Sequence, residues 1–157
     1  MRKEVFQFEF EVYDSSSALS GEDRDLFQAA RLATRYAYAP YSKFNVGAAA
    51  RLSNGEIIMG GNQENASFPA GLCAEGVVMA AASSRFPAMA IDSLAITYDS
   101  ANVESNHPIS PCGICRQSMQ EYKSRTGKPI RLIMGGATGK IFVVDDASNL
   151  LPFAFKF

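Results

Sequence analysis

From Val5 to Val12 the chain alternates strictly, with Phe6, Phe8, Phe10 and Val12 apolar and Gln7, Glu9 and Glu11 polar between them. A period of two predicts a half-buried strand. After the polar break Ser15-Ser16-Ser17, Ser20 is placed to cap a helix, with Glu22 and Asp23 in its first turn, where the helix dipole favours anions. Leu26, Ala29, Ala30, Ala33 and Ala37 then give one apolar face, and Pro40 closes the run. The apolar stretches 46–52 and 56–60 flank Ser53-Asn54-Gly55, and an Asn-Gly step between two such runs predicts a hairpin.

A loop rich in Asn, Ser and Gly follows from Gly61 to Leu72. The spacing predicts a helix from Cys73 to Arg85 with Val77, Val78 and Ala81 turned inward and Pro87 as its stop. A strand over 91–98 comes next. Beyond the polar stretch 99–110, a second helix runs from the Cys112 region to about Lys123, with Cys115, Met119 and Tyr122 at i, i+4 and i+7. Short strands over 131–134 and 140–144, joined by Gly135-Gly136, complete the pattern. No internal repeat or linker interrupts it.

Composition narrows the function classes. The 157 residues suit one domain, and 47% hydrophobic content is enough for a sizeable core. A net charge of −1 and a pI near 5.8 give no general attraction for a polyanion. A small substrate fits better than a polynucleotide. The start Met1-Arg2-Lys3-Glu4-Val5-Phe6 lacks an uninterrupted apolar core of the signal-peptide kind, and no stretch approaches the roughly 20 apolar residues that span a bilayer. Three cysteines committed to a metal would match a reducing cytoplasm.

The cysteines carry the chemistry. Cys73-Ala74-Glu75 and Pro111-Cys112-Gly113-Ile114-Cys115 use every cysteine in the chain and set an acid two residues from one of them. A structural zinc site is normally closed by four protein ligands, whereas a catalytic one keeps three and leaves a place for water. A lone Cys-x-x-Cys is open to redox chemistry or a zinc ribbon, but that reading gives Cys73 and Glu75 no purpose. Three buried thiols packed as small hydrophobes are the plain rival, and they do not account for the flanking residues. The pattern resembles the signature of zinc deaminases in its three-cysteine form, which would make Glu75 the proton-moving carboxylate.

Both metal-binding segments open predicted helices. Free backbone N–H groups gather there, and the partial positive charge lowers thiol pKa. Three thiolates and a hydroxide outweigh one Zn²⁺ by two charges, so such donors or a nearby cation must offset them, and Arg116, next to Cys115, is the candidate cation. Its alternative is a surface salt bridge. His107, the one histidine, precedes Pro108 in a polar loop and is read as solvent-exposed rather than as a fourth ligand.

These residues resemble the cytidine deaminases in their short three-cysteine form. The resemblance runs from Tyr38-Ala39-Pro40-Tyr41-Ser42-Lys43-Phe44-Asn45-Val46-Gly47-Ala48 through Asn62-Gln63-Glu64-Asn65-Ala66-Ser67-Phe68-Pro69 and both cysteine motifs to Leu150-Leu151-Pro152-Phe153-Ala154-Phe155. It implies a three-layer α/β/α sandwich around a five-stranded mixed sheet, with the N-terminal strand as an addition. The expected division is therefore 1–20 as a strand extension and 21–157 as the catalytic domain.

The resemblance also implies roles. Cys73, Cys112 and Cys115 would hold one Zn²⁺ per chain, and Glu75 would be catalytic. Asn62 and Glu64 would bind the ribose hydroxyls, Phe44 would pack beside the pyrimidine, and backbone around Ala74 would hold the base edge. Phe155 would enter a neighbouring subunit's pocket, which requires an oligomer, in this form a homotetramer. The expected reaction is hydrolytic deamination of cytidine and 2′-deoxycytidine in pyrimidine salvage. Two positions depart from the family's pattern: Gly76 stands where an Arg follows Cys-Ala-Glu, and Phe68 replaces a Tyr. The first departure resembles blasticidin S deaminase, so a modified cytosine nucleoside is the alternative substrate. A catalytically silent zinc module that binds nucleosides is the rival outside the enzymes.

Overall fold

The alternating N-terminal run forms a much shorter ladder than its pattern predicts. In the computed structural model, which describes residues 1–156, β1 covers only Glu11–Tyr13, paired antiparallel with Val143–Ile141 of β6 (Ile141–Val144). The expected strand over Val5–Val12 is thus corrected to its last two residues plus Tyr13. The reason is the partner's length: β6 ends at Val144, and residues 1–10 run past it with nothing to pair with. Phe6, Phe8 and Phe10 keep the extended period, with successive ring centroids 6.2 and 6.5 Å apart, and Phe10 meets Phe142 edge-on at 5.1 Å.

The remaining strands are β2 (Phe44–Leu52), β3 (Ile57–Gly61), β4 (Ile91–Ser100) and β5 (Arg131–Gly135). Among the described residues the sheet has six strands in the order β1-β6-β5-β4-β2-β3, with β4 and β5 parallel and every other pair antiparallel. This is the mixed five-stranded sheet with one added edge strand. The predicted Asn-Gly hairpin joins β2 to β3, and Gly55 supplies the positive φ of +89° that the turn demands.

Helix α1 (Gly21–Ala33) covers one face of the sheet. Ser20 Oγ accepts from Asp23 N at 3.3 Å as its N-cap. Leu26, Phe27 and Ala30 pack there with Ala49, Ala95, Ile133, Ile141 and Val143. A close approach sets the seam: a Cβ on Gly47 would lie 2.1 Å from the Ala30 carbonyl oxygen. The helix ends before Ala37, where a 3₁₀ turn over Thr34–Tyr36 takes over. Arg131 closes the edge of this layer, pairing with Glu11 at 2.9 Å, Asp23 at 3.1 Å and Asp145.

The opposite face carries α2 (Ala74–Arg85) and α3 (Gly113–Thr126). Helix α2 turns Ala74, Glu75, Val78, Met79 and Ala82 inward, so its buried stripe is rotated from the predicted one, with Val77 and Ala81 only half-buried. Gly60 on β3 lets the helix sit close to the sheet, because a Cβ there would lie 2.9 Å from Val77 Cγ1 and 3.1 Å from Val78 Cγ2. In α3 the expected residues Cys115, Met119 and Tyr122 are buried. Gly127, at φ +72°, ends α3 in the left-handed conformation three residues beyond the predicted stop. The result is an α/β/α sandwich with α1 alone on one side.

Candidate metal centre and nucleoside pocket

Helices α2 and α3 begin beside one another, and the cysteines are their caps. Cys73 is the N-cap of α2 and Cys112 the N-cap of α3, while Cys115 lies one turn into α3. The Cys73 and Cys112 carbonyls accept from Val77 N and Arg116 N at 3.1 and 3.0 Å, so each motif is locked to its helix. Both cap residues have extended backbone, and neither side chain accepts a cap hydrogen bond from the first turn.

The three Sγ atoms converge to within 4.8 Å of one another, with 3.5 Å between Cys73 and Cys112 and 3.4 Å between Cys112 and Cys115. Tetrahedral Zn–S bonds of about 2.3 Å would separate the sulfurs by about 3.8 Å. The donor set fits zinc with small adjustments, and the soft thiolates suit it. Among the described residues no His, Asp or Glu joins this group, so the protein supplies three ligands and leaves one position open. His107 is exposed, and its Nδ1 lies 3.1 Å from Tyr98 Oη rather than at the sulfurs.

Electrostatics within the cluster are strongly coupled. The hydrogen bond from Cys115 holds the Cys73 thiol down at about 6, against its own burial. The same contact, followed by burial, pushes Cys115 upward. Glu75 is 4% exposed, and burial, followed by the neighbouring Cys73 charge, raises its carboxyl above the usual range.

The cluster opens onto a cavity of about 530 Å³. Cys73, Ala74, Glu75 and Cys112 form one part of its wall, and Phe44, Asn62 and Phe68 line it as well. Asn62 is built into the end of β2: its Oδ1 accepts from Val46 N at 2.8 Å and its Nδ2 donates to the Phe44 carbonyl at 3.0 Å. Glu64 is not among the lining residues. It accepts from Tyr41 N at 2.8 Å and Ser42 N at 3.3 Å, and the hydroxyl of Ser42, followed by these amides, keeps its carboxyl below the usual range.

Phe155 does not line this chain's own cavity; it is two-thirds exposed, with its backbone held by Gln117 through bonds of 2.9 and 3.1 Å. Arg116 donates from Nε to the Pro111 carbonyl at 2.9 Å and from Nη1 to the Leu150 carbonyl at 3.1 Å. It therefore ties the cysteine loop to the C-terminal segment. Around Gly76 a Cβ would meet nothing within 4 Å. Sequence reasoning missed Val46, Leu72, Ile109 and Ser110 on the cavity wall. Apolar and hydroxyl residues carry no chemical signature, so only the fold gathers them.

Comparisons with known proteins agree with this geometry. Residues 20–128 match the family model described as the cytidine and deoxycytidylate deaminase zinc-binding region. A cytidine deaminase of Halalkalibacterium halodurans is 37% identical over 130 residues, which cover 83% of this chain and 91% of that protein. One from Mycoplasma genitalium is 33% identical over 126 residues, covering 80% and 89%. The crystal structure of cytidine deaminase from Burkholderia pseudomallei superimposes with a TM-score of 0.71 at 33% identity, covering 87% of this chain and all of that one. The Mycobacterium tuberculosis enzyme superimposes with a TM-score of 0.64 at 29% identity, covering 85% and 96%.

Proposed function

The chain belongs to the cytidine and deoxycytidylate deaminase family, and from that premise we propose that it hydrolyses cytidine and 2′-deoxycytidine to uridine and 2′-deoxyuridine. The observation that carries this reading is the convergence of three thiols within 4.8 Å on a cavity whose wall also presents the buried Glu75. A zinc ion held by Cys73, Cys112 and Cys115, one per chain, would supply Lewis acidity and lower the pKa of a bound water to about 7. Water is added at C4 of the cytosine ring and ammonia leaves, so two protons must move. Glu75 takes a proton from the attacking water, delivers it to ring N3, and later passes one to the departing amine. It can serve both steps because it is near the metal but not bound to it.

The other residues bind and orient. Phe44 lies beside the pyrimidine, and the backbone at Ala74 holds the base edge. Asn62 and Glu64 are assigned to the ribose, Asn62 from the cavity wall and Glu64 from its place against the Tyr41 and Ser42 amides. Asn62 is held by two backbone bonds before the sugar arrives, which lowers the ordering cost of binding. Arg116 offsets the thiolate charge from the first turn of α3, while its two carbonyl contacts hold it close to the cysteine loop.

Phe155 is assigned to a neighbouring subunit's pocket, within a homotetramer. Its absence from its own cavity and the Gln117 clamp on its backbone support a tail directed outward. Residues 1–20 form an added arm and 21–157 the catalytic domain. No helix among the described residues is long and apolar enough to cross a membrane, and thiols committed to zinc fit the cytoplasm and a place in pyrimidine salvage.

A substrate panel tests the reading: cytidine, deoxycytidine, free cytosine, blasticidin S and single-stranded DNA, followed by ultraviolet absorbance with zinc quantified. Conversion of both nucleosides, with cytosine poor because it lacks the sugar, is expected. Conversion of blasticidin S alone would overturn the substrate assignment.

A further inference from the structure

Behind Phe44 the cavity wall has a second aromatic layer. In the β2–β4 ladder Val46 pairs with Tyr98 and Phe44 with Ser100, so Phe44 and Tyr98 are diagonal neighbours within reach of each other. Their rings stack with centroids 4.7 Å apart and planes 18° apart, inside the range of favourable offset stacking. Phe44 is half-buried and faces the cavity. Tyr98 is 1% exposed and does not line it.

The far end of Tyr98 reaches a different element. Its hydroxyl donates to the Glu104 carbonyl at 3.1 Å and lies 3.1 Å from His107 Nδ1, which is also 3.3 Å from Asn106 Oδ1. The loop fixed in this way arrives at the cavity with Ile109 and Ser110 and then delivers Cys112. One buried side chain therefore touches Phe44 at its ring and the 104–110 loop at its hydroxyl. A residue needed for core packing alone would require no hydroxyl here, and burying one without partners is costly.

We propose that Tyr98 is a positioning residue for nucleoside binding: its ring fixes the plane that Phe44 presents to the base, and its hydroxyl seats the loop that brings Ile109 and Ser110 to the same cavity. The inference rests on the reading of the cavity as a pyrimidine nucleoside site. An aromatic at the first position of a strand has ring orientations to lose on binding. Stacking removes them beforehand, so the cost is not met when substrate arrives. Such preorganisation acts alike on bound substrate and transition state, and its loss falls on KM rather than on kcat.

The test is steady-state kinetics on the zinc-loaded full chain as wild type, Tyr98→Leu, Tyr98→Phe, His107→Ala and the Tyr98→Phe/His107→Ala double variant. Tyr98→Leu removes the stack and should raise the KM for cytidine by about five- to tenfold, with kcat changed by no more than about twofold. Tyr98→Phe restores the ring and should recover most of that loss, leaving about a threefold rise. His107→Ala should raise KM by less than Tyr98→Phe, which also loses the Glu104 bond, and the double variant should be no worse than Tyr98→Phe, in which the His107 contact is already gone. An unchanged KM in Tyr98→Leu, or a fall in kcat at constant KM, would overturn the inference. If Tyr98→Leu does not accumulate as zinc-loaded protein, the hydroxyl cycle decides: non-additive KM effects support the positioning role, and fully additive ones overturn it. A wild-type enzyme that converts neither cytidine nor deoxycytidine would sink the nucleoside reading and take this inference with it.

Discussion

On one face of the sheet, α1 sets Leu26, Phe27 and Ala30 against Ala49, Ala95 and Ile133, and every one of these side chains is apolar and buried. On the other, α2 and α3 cover the larger of the two apolar cores, yet their N-termini meet at three thiols and a carboxylate that is 4% exposed. A single helix crossing a sheet has no second helix start to converge with. Two helices entering side by side present two sets of free N–H groups to one point, and a buried anionic site becomes affordable there. The α1 layer therefore serves packing alone, while the α2/α3 layer covers the larger core and holds the chemistry where its two helices start.

The sharpest way to break this comparison is Glu75→Gln. Loss of the proton carrier should cut kcat by about 10²- to 10⁴-fold while zinc content and thermal midpoint stay near wild type. Near-normal turnover would remove Glu75 from the mechanism. Phe27→Ala probes the opposite face, where it should destabilise the fold by about 3–5 kcal/mol with little change in kcat or KM well below the melting point. Denaturant unfolding alongside kinetics checks it. A comparable fall in kcat at full folding would show that the α1 layer is not mechanically separate from the site.

A smaller effect comes from the ion pair on the site face. Burial raises the Asp146 carboxyl, but Lys123 Nζ at 2.5 Å and the Ser148 contacts outweigh it, so its folded pKa lies below the ordinary value. A depressed carboxyl pKa adds stability above its unfolded value and loses it as pH falls through the folded one. Wild type should exceed Asp146→Asn by no more than about 1 kcal/mol near neutrality, and the gap should close in acid. A gap that persists below pH 3 would mean that Lys123 and Asp146 act through packing rather than charge.

Gly76→Arg should move least. Nothing lies within 4 Å of the missing Cβ, and arginine is the better helix former by just under about 1 kcal/mol. The thermal midpoint should rise slightly with zinc retained. Loss of assembly, read by light scattering, would instead place this surface of α2 in a subunit contact.

The sequence by itself determined the helices, the hairpin and the three thiols that could hold a metal. Ligand chemistry depends on residue type and short spacing: Cys73, Cys112 and Cys115 are legible as donors whatever surrounds them, and Glu75 follows from its offset to Cys73. Residue type also made the Asn54-Gly55 turn legible, because the left-handed backbone there favours glycine. What only the tertiary structure decided depends on neighbours distant in the chain. The alternation from Phe6 to Val12 is a true extended pattern, but ladder length is set by the partner strand, and β6 stops at Val144. The close approach of α2 to β3 depends on Gly60 beneath Val77 and Val78, a contact that no local period contains. Tyr98 gave no signal at all, since an aromatic in an apolar strand reads as core. Its stack on Phe44 and its bond toward His107 exist because β2, β4 and the 104–107 loop are brought together by the fold, and contact geometry is a property of that assembly rather than of any segment.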